Sequence, residues 1–224
     1  MGKSLARRQR SDGARQVPFS EHYGWTADKY DVSWQLMLVD DHYPFRHKVT
    51  PTLMFVGDVC GLAEDATQFY ASVFPESKVG DIARYPAGME PDKEGTVMHG
   101  AVTMAGQEFF TMDSARTHQF SFSECVSFII DCEDQQEIDY FWDRVTADGG
   151  MESMCGWCKD KYGVSWQVIP RTLPRLIKNE SAMQAMLQMK TVLLSLLYSL
   201  YRKSSRTRNS RRRLRRRASF IAST

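Results

Sequence analysis

The chain contains one stretch of sequence twice, and this duplication constrains its fold more than any other feature. Residues 156–167 (GWCKDKYGVSWQ) repeat residues 24–35 (GWTADKYDVSWQ), with nine identical residues at a constant offset of 132. Similarity of this density at a fixed spacing indicates a duplicated structural unit. The interval between the copies has the length of a small domain. We therefore interpret residues 18–38 as the end of a preceding repeat of the domain that follows.

Each copy has the pattern of a β-hairpin. Its second strand alternates between two faces, which carry Val164, Trp166 and Val168 on one side and Ser165, Gln167 and Ile169 on the other. This alternation predicts one face packed on a helix and one polar face. The turn before the strand holds Gly163 in one copy and Asp31 in the other. Because Asp tolerates positive φ better than most residues, we predict a left-handed turn in both copies.

Hydrophobic periodicity predicts two rounds of the same elements after the first hairpin. The first round has a strand at 49–56, a helix at 58–74 and strands at 78–85, 96–105 and 107–113. The second has a strand at 121–132, a helix and the repeated hairpin. Asp58 and Asp134 are the predicted N-caps of the two helices. The pattern predicts an α+β fold built from two βαβββ modules.

The segments around these modules differ from them in composition. We predict a disordered basic N-terminus (1–17), a linker (39–47), the domain itself (48–170), a helical segment (171–201) and an Arg-rich disordered tail (202–224). Ten of the 29 Lys and Arg residues lie in 202–217, which leaves 19 against 27 Asp and Glu elsewhere. Clustered Arg can neutralise phosphates, but no aromatic residue interleaves with this cluster. That composition argues against nucleic acid as a partner.

Cysteine content and hydropathy favour a cytoplasmic protein. The chain has five cysteines, an odd number, and no apolar secretory segment near Met1. Its longest apolar run, at 192–201, is about half of the ~20 residues that a membrane-spanning helix needs. We therefore expect free thiols and no membrane span.

Five segments carry a resemblance to a known family. They are KVTPTLMFVGD (48–58), FYASVFPES (69–77), EGTVMHGAVTMAGQEF (94–109), MDSARTHQFSF (112–122) and CGWCKDKYGVSWQVIP (155–170). In them the chain resembles PhnB-like domains, often labelled 3-demethylubiquinone-9 3-methyltransferase, of the vicinal-oxygen-chelate (glyoxalase/bleomycin-resistance) superfamily. Residues 18–37 resemble the end of a neighbouring domain of the same kind. The resemblance implies paired βαβββ modules whose sheet curves around a cavity, and a homodimer.

The methyltransferase label has no counterpart among the motifs of this chain. A methyl donor is usually held by a Gly-rich turn between a strand and a helix, and no G-x-G pattern follows a predicted strand. We therefore expect the protein to bind a small molecule in the cavity between its modules, without methyl transfer. Two alternatives stay open: a metal-dependent isomerase, lyase or dioxygenase of the same superfamily, and a non-catalytic structural or interaction protein.

The resemblance also bears on cofactors. Metal-using relatives take ligands from the first and last strand of each module, and those positions hold Pro51, Phe110, Ser127 and Gln167 here. Only Gln167 offers a plausible ligand, whereas a divalent metal needs three or more nitrogen or oxygen donors. We therefore expect no cofactor, and a divalent metal remains an alternative.

Four polar residues are candidates for the lining of the cavity: His99, Asp113, Ser127 and Gln167. His99 is interpreted as a general base or an anchor for an acidic substrate, or as a structural histidine. Asp113 ends a strand and either pairs with His118 or stabilises a turn with Ser114. Ser127 and Gln167 are candidates because of the strand positions that the resemblance assigns to them.

Overall fold

The N-terminal part of the chain is a three-stranded antiparallel sheet. The structure, a computed structural model, describes residues 12–17, 20–39 and 47–203. They belong to two compact units, of which the first ends at Lys48 and the second begins at Val49. The first unit has strands β1 (Asp12–Val17), β2 (Ser20–Ala27) and β3 (Ser33–Met37) in the order β1-β2-β3.

Strand β1 lies where the sequence predicts disorder. It pairs with β2 through Arg15 and Tyr23 and through Val17 and Ser20. Backbone N–H and C=O groups can form such a ladder without a hydrophobic period in the side chains. The other predicted disordered segment, 204–224, and residues 40–46 of the predicted linker lie outside the described residues.

The second unit begins with a βαβββ module. Its elements are β4 (Thr52–Val56), a 3-10 turn (Gly57–Val59), α1 (Ala63–Val73), β5 (Lys78–Arg84), β6 (Val97–Met104) and β7 (Gln107–Ser114). The strand order is β4-β7-β6-β5. The first and last strands, β4 and β7, run parallel, with Thr52 opposite Phe110.

The next segment repeats this topology. Its elements are β8 (Ser127–Cys132), α2 (Gln135–Thr146), β9 (Met151–Glu152), β10 (Trp157–Lys159) and β11 (Ser165–Pro170). The order β8-β11-β10-β9 again places the first strand parallel to the last. The prediction of an α+β fold made of two βαβββ modules is therefore confirmed, and the modules form two open four-stranded sheets.

The predicted C-terminal helix is divided. Short helices α3 (Leu173–Leu176) and α4 (Glu180–Met186) precede a helix over 194–203. The chain is not helical between them because the carbonyls of Met189 and Lys190 accept hydrogen bonds from the backbone N–H groups of Cys155 and Gly156, at 2.7 and 2.8 Å. Of the helices in the described residues, none has the length and apolar character that a membrane crossing requires.

The two long helices begin in different ways. Asp134 is the N-cap of α2, and its Oδ1 accepts a hydrogen bond from the Glu137 N–H at 3.0 Å. Asp58 does not cap α1, because it lies in the 3-10 turn and α1 begins only at Ala63. Asp113 at the end of β7 takes this role and accepts N–H bonds from Gly61 and Ala63. One cap prediction is confirmed and the other is wrong.

The two modules share one hydrophobic core rich in aromatic rings. Phe74, the C-cap residue of α1, stacks on Phe141 of α2, with ring centroids 5.4 Å apart, and lies 5.3 Å from Trp166 of β11. Phe109 of β7 meets Phe128 of β8 at 5.1 Å. Since such pairs stabilise beyond their buried area, these contacts hold the two sheets in a fixed relation.

The two copies of the repeated stretch form the hairpins β2–β3 and β10–β11. Trp25 lies opposite Gln35, and Trp157 lies opposite Gln167, so the register is the same. The turn residues Asp31 and Gly163 have φ of 65° and 90°. The prediction of a left-handed turn in both copies is confirmed. That residues 18–38 are the remnant of a tandem domain stays a prediction.

Candidate ligand site on the second sheet

Two of the four candidate residues, Ser127 and Gln167, meet on the second sheet. Strands β8 and β11 are parallel neighbours, with Ser127 opposite Ser165 and Ile129 opposite Gln167. The Gln167 side-chain amide donates to Ser127 Oγ at 2.8 Å. These side chains lie on the face away from α2, because Trp166 and Val168, which alternate with them, are buried in the core.

His99 lies on the first sheet, on strand β6. Its ring is 4.5 Å from that of Phe110, on the neighbouring strand β7, and the residue is only partly exposed. Burial lowers the pKa of His99 below its ordinary value of 6.5. The ring therefore favours the neutral form, which can donate from one nitrogen and accept at the other.

Asp113 lies on the opposite face of the first sheet from His99. Besides binding the start of α1, its carboxylate accepts the Val97 N–H through Oδ2 at 2.9 Å. Burial raises the pKa of Asp113 and outweighs the effect of its backbone donors. Its face follows from alternation along β7, since Thr111, two residues earlier, contacts Thr67 of α1 at 2.8 Å. The structure therefore places Asp113 on the α1 face of the first sheet and His99 on the other face.

The possible pair of Asp113 with His118 does not form. His118 Nε2 instead lies 2.9 Å from Ser114 Oγ. Ser114 follows Asp113 directly, so its side chain points to the other face of β7. The carboxylate and the imidazole are consequently held on different sides of the strand.

Six side chains on the open face of the second sheet form two rows across the strands. The first row contains Lys159, Ser165 and Ser127, and the second contains Trp157, Gln167 and Ile129. Members of one row are directly opposed on neighbouring strands, where Cβ atoms are about 5 Å apart. A ligand of a few ångströms in width can therefore contact several members of a row at once.

Ser165 in the first row has an unsatisfied hydroxyl. The residue is 1 % exposed, and its Oγ has no hydrogen-bond partner within the part of the chain that the structure describes. A buried polar group left in this state costs about 1–3 kcal/mol. Such a hydroxyl can form a hydrogen bond with a molecule that binds at this face.

Lys159, at the end of the first row, forms an ion pair with Glu124. Their Nζ and Oε1 atoms are 2.5 Å apart, and the side chains are 22 % and 66 % exposed. The hydrogen bond from Lys159 lowers the pKa of Glu124, which keeps this carboxylate ionised. Glu124 lies in the segment between β7 and β8, outside the sheet. Neither residue stood out in the sequence.

The turn between β10 and β11 is organised by Asp160. Its Oδ1 accepts the N–H groups of Tyr162 and Val164 at 2.9 and 3.0 Å. Its Oδ2 accepts the Trp166 indole N–H at 2.9 Å and the Tyr70 hydroxyl at 2.8 Å. The carboxylate thus fixes the ends of the two strands that carry Lys159 and Ser165.

The role of Asp160 had a signal in the sequence. An Asp is present in both copies. Its carboxylate accepts backbone N–H bonds from the residues two and four positions later, as in an Asx turn, and a side-chain bond from the tryptophan six positions later. In the first copy, Asp28 Oδ1 accepts from the N–H groups of Tyr30 and Val32, and Oδ2 accepts from the Trp34 indole N–H. The same hydrogen bonds therefore recur at the offset of 132.

Two of the four positions that the resemblance assigns to metal ligands, Pro51 and Phe110, offer no free donor. Pro51 contributes a backbone carbonyl that is occupied by the Phe110 N–H at 2.9 Å, and Phe110 has a hydrocarbon side chain. Over residues 12–17, 20–39 and 47–203, no three His, Cys, Asp or Glu side chains converge as metal ligands.

A surface depression lies on the C-terminal helix. It measures about 470 Å³ and is lined by Ser195, Tyr198, Ser199, Arg202 and Lys203. None of these residues is a candidate from the sequence. The cavity between the modules stays a prediction, and the polar rows lie on the sheet face away from α2.

Comparison with known proteins assigns the family. Residues 47–169, more than half of the chain, match the family described as 3-demethylubiquinone-9 3-methyltransferase. A solved PhnB protein of Bacillus cereus, named after the same methyltransferase, is 39% identical with a TM-score of 0.50, over 55% of this chain and 99% of that one. The protein PA1353 from Pseudomonas aeruginosa is 16% identical with a TM-score of 0.47, over 56% and 98%. No curated protein matches the chain. This chain belongs to the PhnB-like family of 3-demethylubiquinone-9 3-methyltransferase domains.

Proposed function

We propose that this protein binds a small molecule on the open face of β8, β10 and β11, without methyl transfer. The observation that carries the proposal is the buried Ser165 hydroxyl, which has no partner in the described residues and lies opposite the hydrogen-bonded Ser127. A hydroxyl held in that state is prepared to receive a hydrogen bond from a ligand or to donate one. Gln167, in the adjacent row, supplies a carbonyl oxygen and fixes Ser127.

Of the other two candidate residues, the proposal includes His99 and leaves out Asp113. His99 remains a candidate contact because its ring lies on the face of the first sheet that is away from α1. Asp113 is not included, since its carboxylate is engaged by backbone N–H groups of three residues on the α1 side. We also propose a homodimer, which rests on the resemblance alone.

A thermal-shift screen of a metabolite library on the full chain tests the proposal. Compounds that bind this face should raise the unfolding temperature of the native protein, and Gln167→Leu should reduce their shifts by more than half. Binding to the folded state stabilises it in proportion to the logarithm of ligand concentration over Kd, so weak compounds remain detectable at high concentration.

The matched control is Gln107→Leu, which removes an exposed glutamine from the first sheet. It should leave the ligand shifts unchanged. Hits that respond equally to the two substitutions, or a library without any stabilising compound, would contradict the proposed site.

A further inference from the structure

Each side chain in the first row of the second sheet can offer a hydrogen-bond donor. Lys159 carries an ammonium group, which has three donors and no acceptor. Ser127 accepts the N–H of Gln167, so its own hydroxyl proton remains to donate. Ser165 has a hydroxyl without a partner in the described residues. Three donors in one row match a group that only accepts hydrogen bonds.

Such a group is an oxyanion. A carboxylate or a phosphonate has several acceptor oxygens, no donor when it is ionised, and a negative charge for the ammonium. Hydrogen bonds between ionised partners are also stronger than those between neutral ones. The spacing of about 5 Å between opposed side chains lets one such group contact neighbouring members of the row.

The second row has a different chemistry. Trp157 is half-buried and Ile129 is 57 % exposed, so both offer apolar surface beside the donors. Gln167 lies between them. Exposed apolar side chains next to a polar group are typical of a ligand site, where the apolar part supplies contact area and the polar part supplies orientation.

The Glu124 carboxylate marks one position beside Lys159 that an oxyanion can occupy. Its carboxylate contacts Lys159 at 2.5 Å, although its side chain is 66 % exposed and its segment belongs to no strand. The protein thus places its own carboxylate at one end of the first row. A ligand carboxylate can take the same position, because the Glu124 end of the pair is exposed and its carboxylate can exchange with solvent.

The first copy of the hairpin lacks this arrangement. Its residues at the matching positions include Ser33, Gln35 and Trp25, but Ala27 replaces Lys159. Gln35 there accepts the Tyr23 hydroxyl at 2.9 Å. The cation therefore distinguishes the second copy from the first, although most of the surrounding sequence is the same.

We propose that the ligand is an organic anion whose carboxylate or phosphonate group displaces Glu124 from Lys159 and accepts hydrogen bonds from Ser127 and Ser165, while its apolar part lies on Trp157 and Ile129. Glu124 then acts as an internal competitor for the site. This inference rests on the proposed function and specifies the class of ligand for the same sheet face.

Calorimetric titration of the full chain with benzoate and with phenylphosphonate tests this inference. A tethered competitor acts at an effective concentration in the millimolar range, so its removal strengthens the binding of a weak ligand. We expect Glu124→Gln to tighten binding of the preferred anion by about tenfold, which corresponds to about 1.4 kcal/mol. Lys159→Met should weaken it by at least as much. The probe that binds with the lower Kd identifies the group as a carboxylate or a phosphonate.

Glu152→Gln is the matched control. Glu152 forms a more exposed pair with Lys190 at 2.8 Å, outside the two rows, and a Gln at this position can still accept the Trp142 indole N–H. Its substitution should leave both affinities unchanged, and benzyl alcohol should bind no more tightly to Glu124→Gln than to the native chain. Since Glu124 is exposed, its variant preserves the fold even if Lys159→Met does not.

Two results would overturn the inference. One is an equal response of anion binding to Glu124→Gln and Glu152→Gln. The other is anion binding that folded Lys159→Met retains in full. If either occurs while neutral library compounds still depend on Gln167, only the ligand class is wrong. If no compound depends on Gln167 or on Lys159, the proposed function fails as well.

Discussion

The protonation of one histidine gives a test at the scale of a single residue. His99 is partly buried beside Phe110, and burial lowers its pKa from the usual 6.5. The unfolded chain therefore binds a proton on this residue at a higher pH than the folded chain does. The stability that the neutral ring contributes is fully present above pH 6.5 and is lost as the pH falls through the folded-state pKa.

We expect His99→Gln to remove this part of the acid sensitivity. The free energy of unfolding of the native chain, measured by urea denaturation at a series of pH values, should fall below pH 6.5 more steeply than that of the variant. Above pH 7.5 the two slopes should agree, which provides an internal control. Parallel curves over the whole range would show that the folded state does not disfavour the charged ring.

At the scale of the element, the same hairpin occurs in two environments. Trp166 is 3 % exposed in the second copy, whereas Trp34 at the matching position is 39 % exposed in the first. The hydrogen bonds to Asp160 are accordingly in the core, and those to Asp28 are at the surface. The same hydrogen-bonded Asp and Trp therefore contribute differently to stability in the two copies.

We expect Asp160→Asn to destabilise the second unit by about 1–3 kcal/mol, because the amide nitrogen would face the donor groups of Trp166 and Tyr70 in a buried site. Asp28→Asn, the same change in the exposed hairpin, should alter the unfolding free energy by less than about 0.5 kcal/mol. Urea denaturation of both variants measures the difference. Equal losses of unfolding free energy would mean that burial does not determine how much these hydrogen bonds contribute to stability.

At the scale of the whole molecule, the two modules depend on one shared core. Phe74 belongs to the first module, yet its ring contacts Phe141 and Trp166 of the second. Tyr70, also on α1, donates a hydrogen bond to Asp160 of the second module. The described strands β4–β7 and β8–β11 form separate sheets, so side-chain contacts such as these and Phe109–Phe128 couple their stability.

We expect Phe74→Ala to cost about 3–5 kcal/mol, the usual effect of removing a buried ring. Hydrogen exchange should accelerate in β4–β7 and in β8–β11 together, because the shared core unfolds as one unit. Phe120→Ala, whose ring is 46 % exposed, serves as the control and should have little effect. Acceleration confined to the first sheet would show that the modules unfold separately.

Much of this fold was predictable because it depends on short-range patterns. The alternation along β11, the cap at Asp134 and the positive φ at Asp31 and Gly163 follow from neighbouring residues in the chain. The repetition at a fixed offset indicated that both hairpins share a register. Ser127 and Gln167 were chosen for their strand positions in the second module, and their hydrogen bond was not predicted.

The remaining features depend on contacts between residues far apart in the chain. Asp113 was a plausible site residue and Asp58 a plausible cap, yet Asp113 caps α1 because β7 ends beside the start of that helix. The pairing of Glu124 with Lys159 likewise requires the fold to bring a loop to a strand. A sequence pattern specifies which side of its own element a residue occupies. Which residues face it there is decided by packing between elements, since those partners have no fixed spacing along the chain.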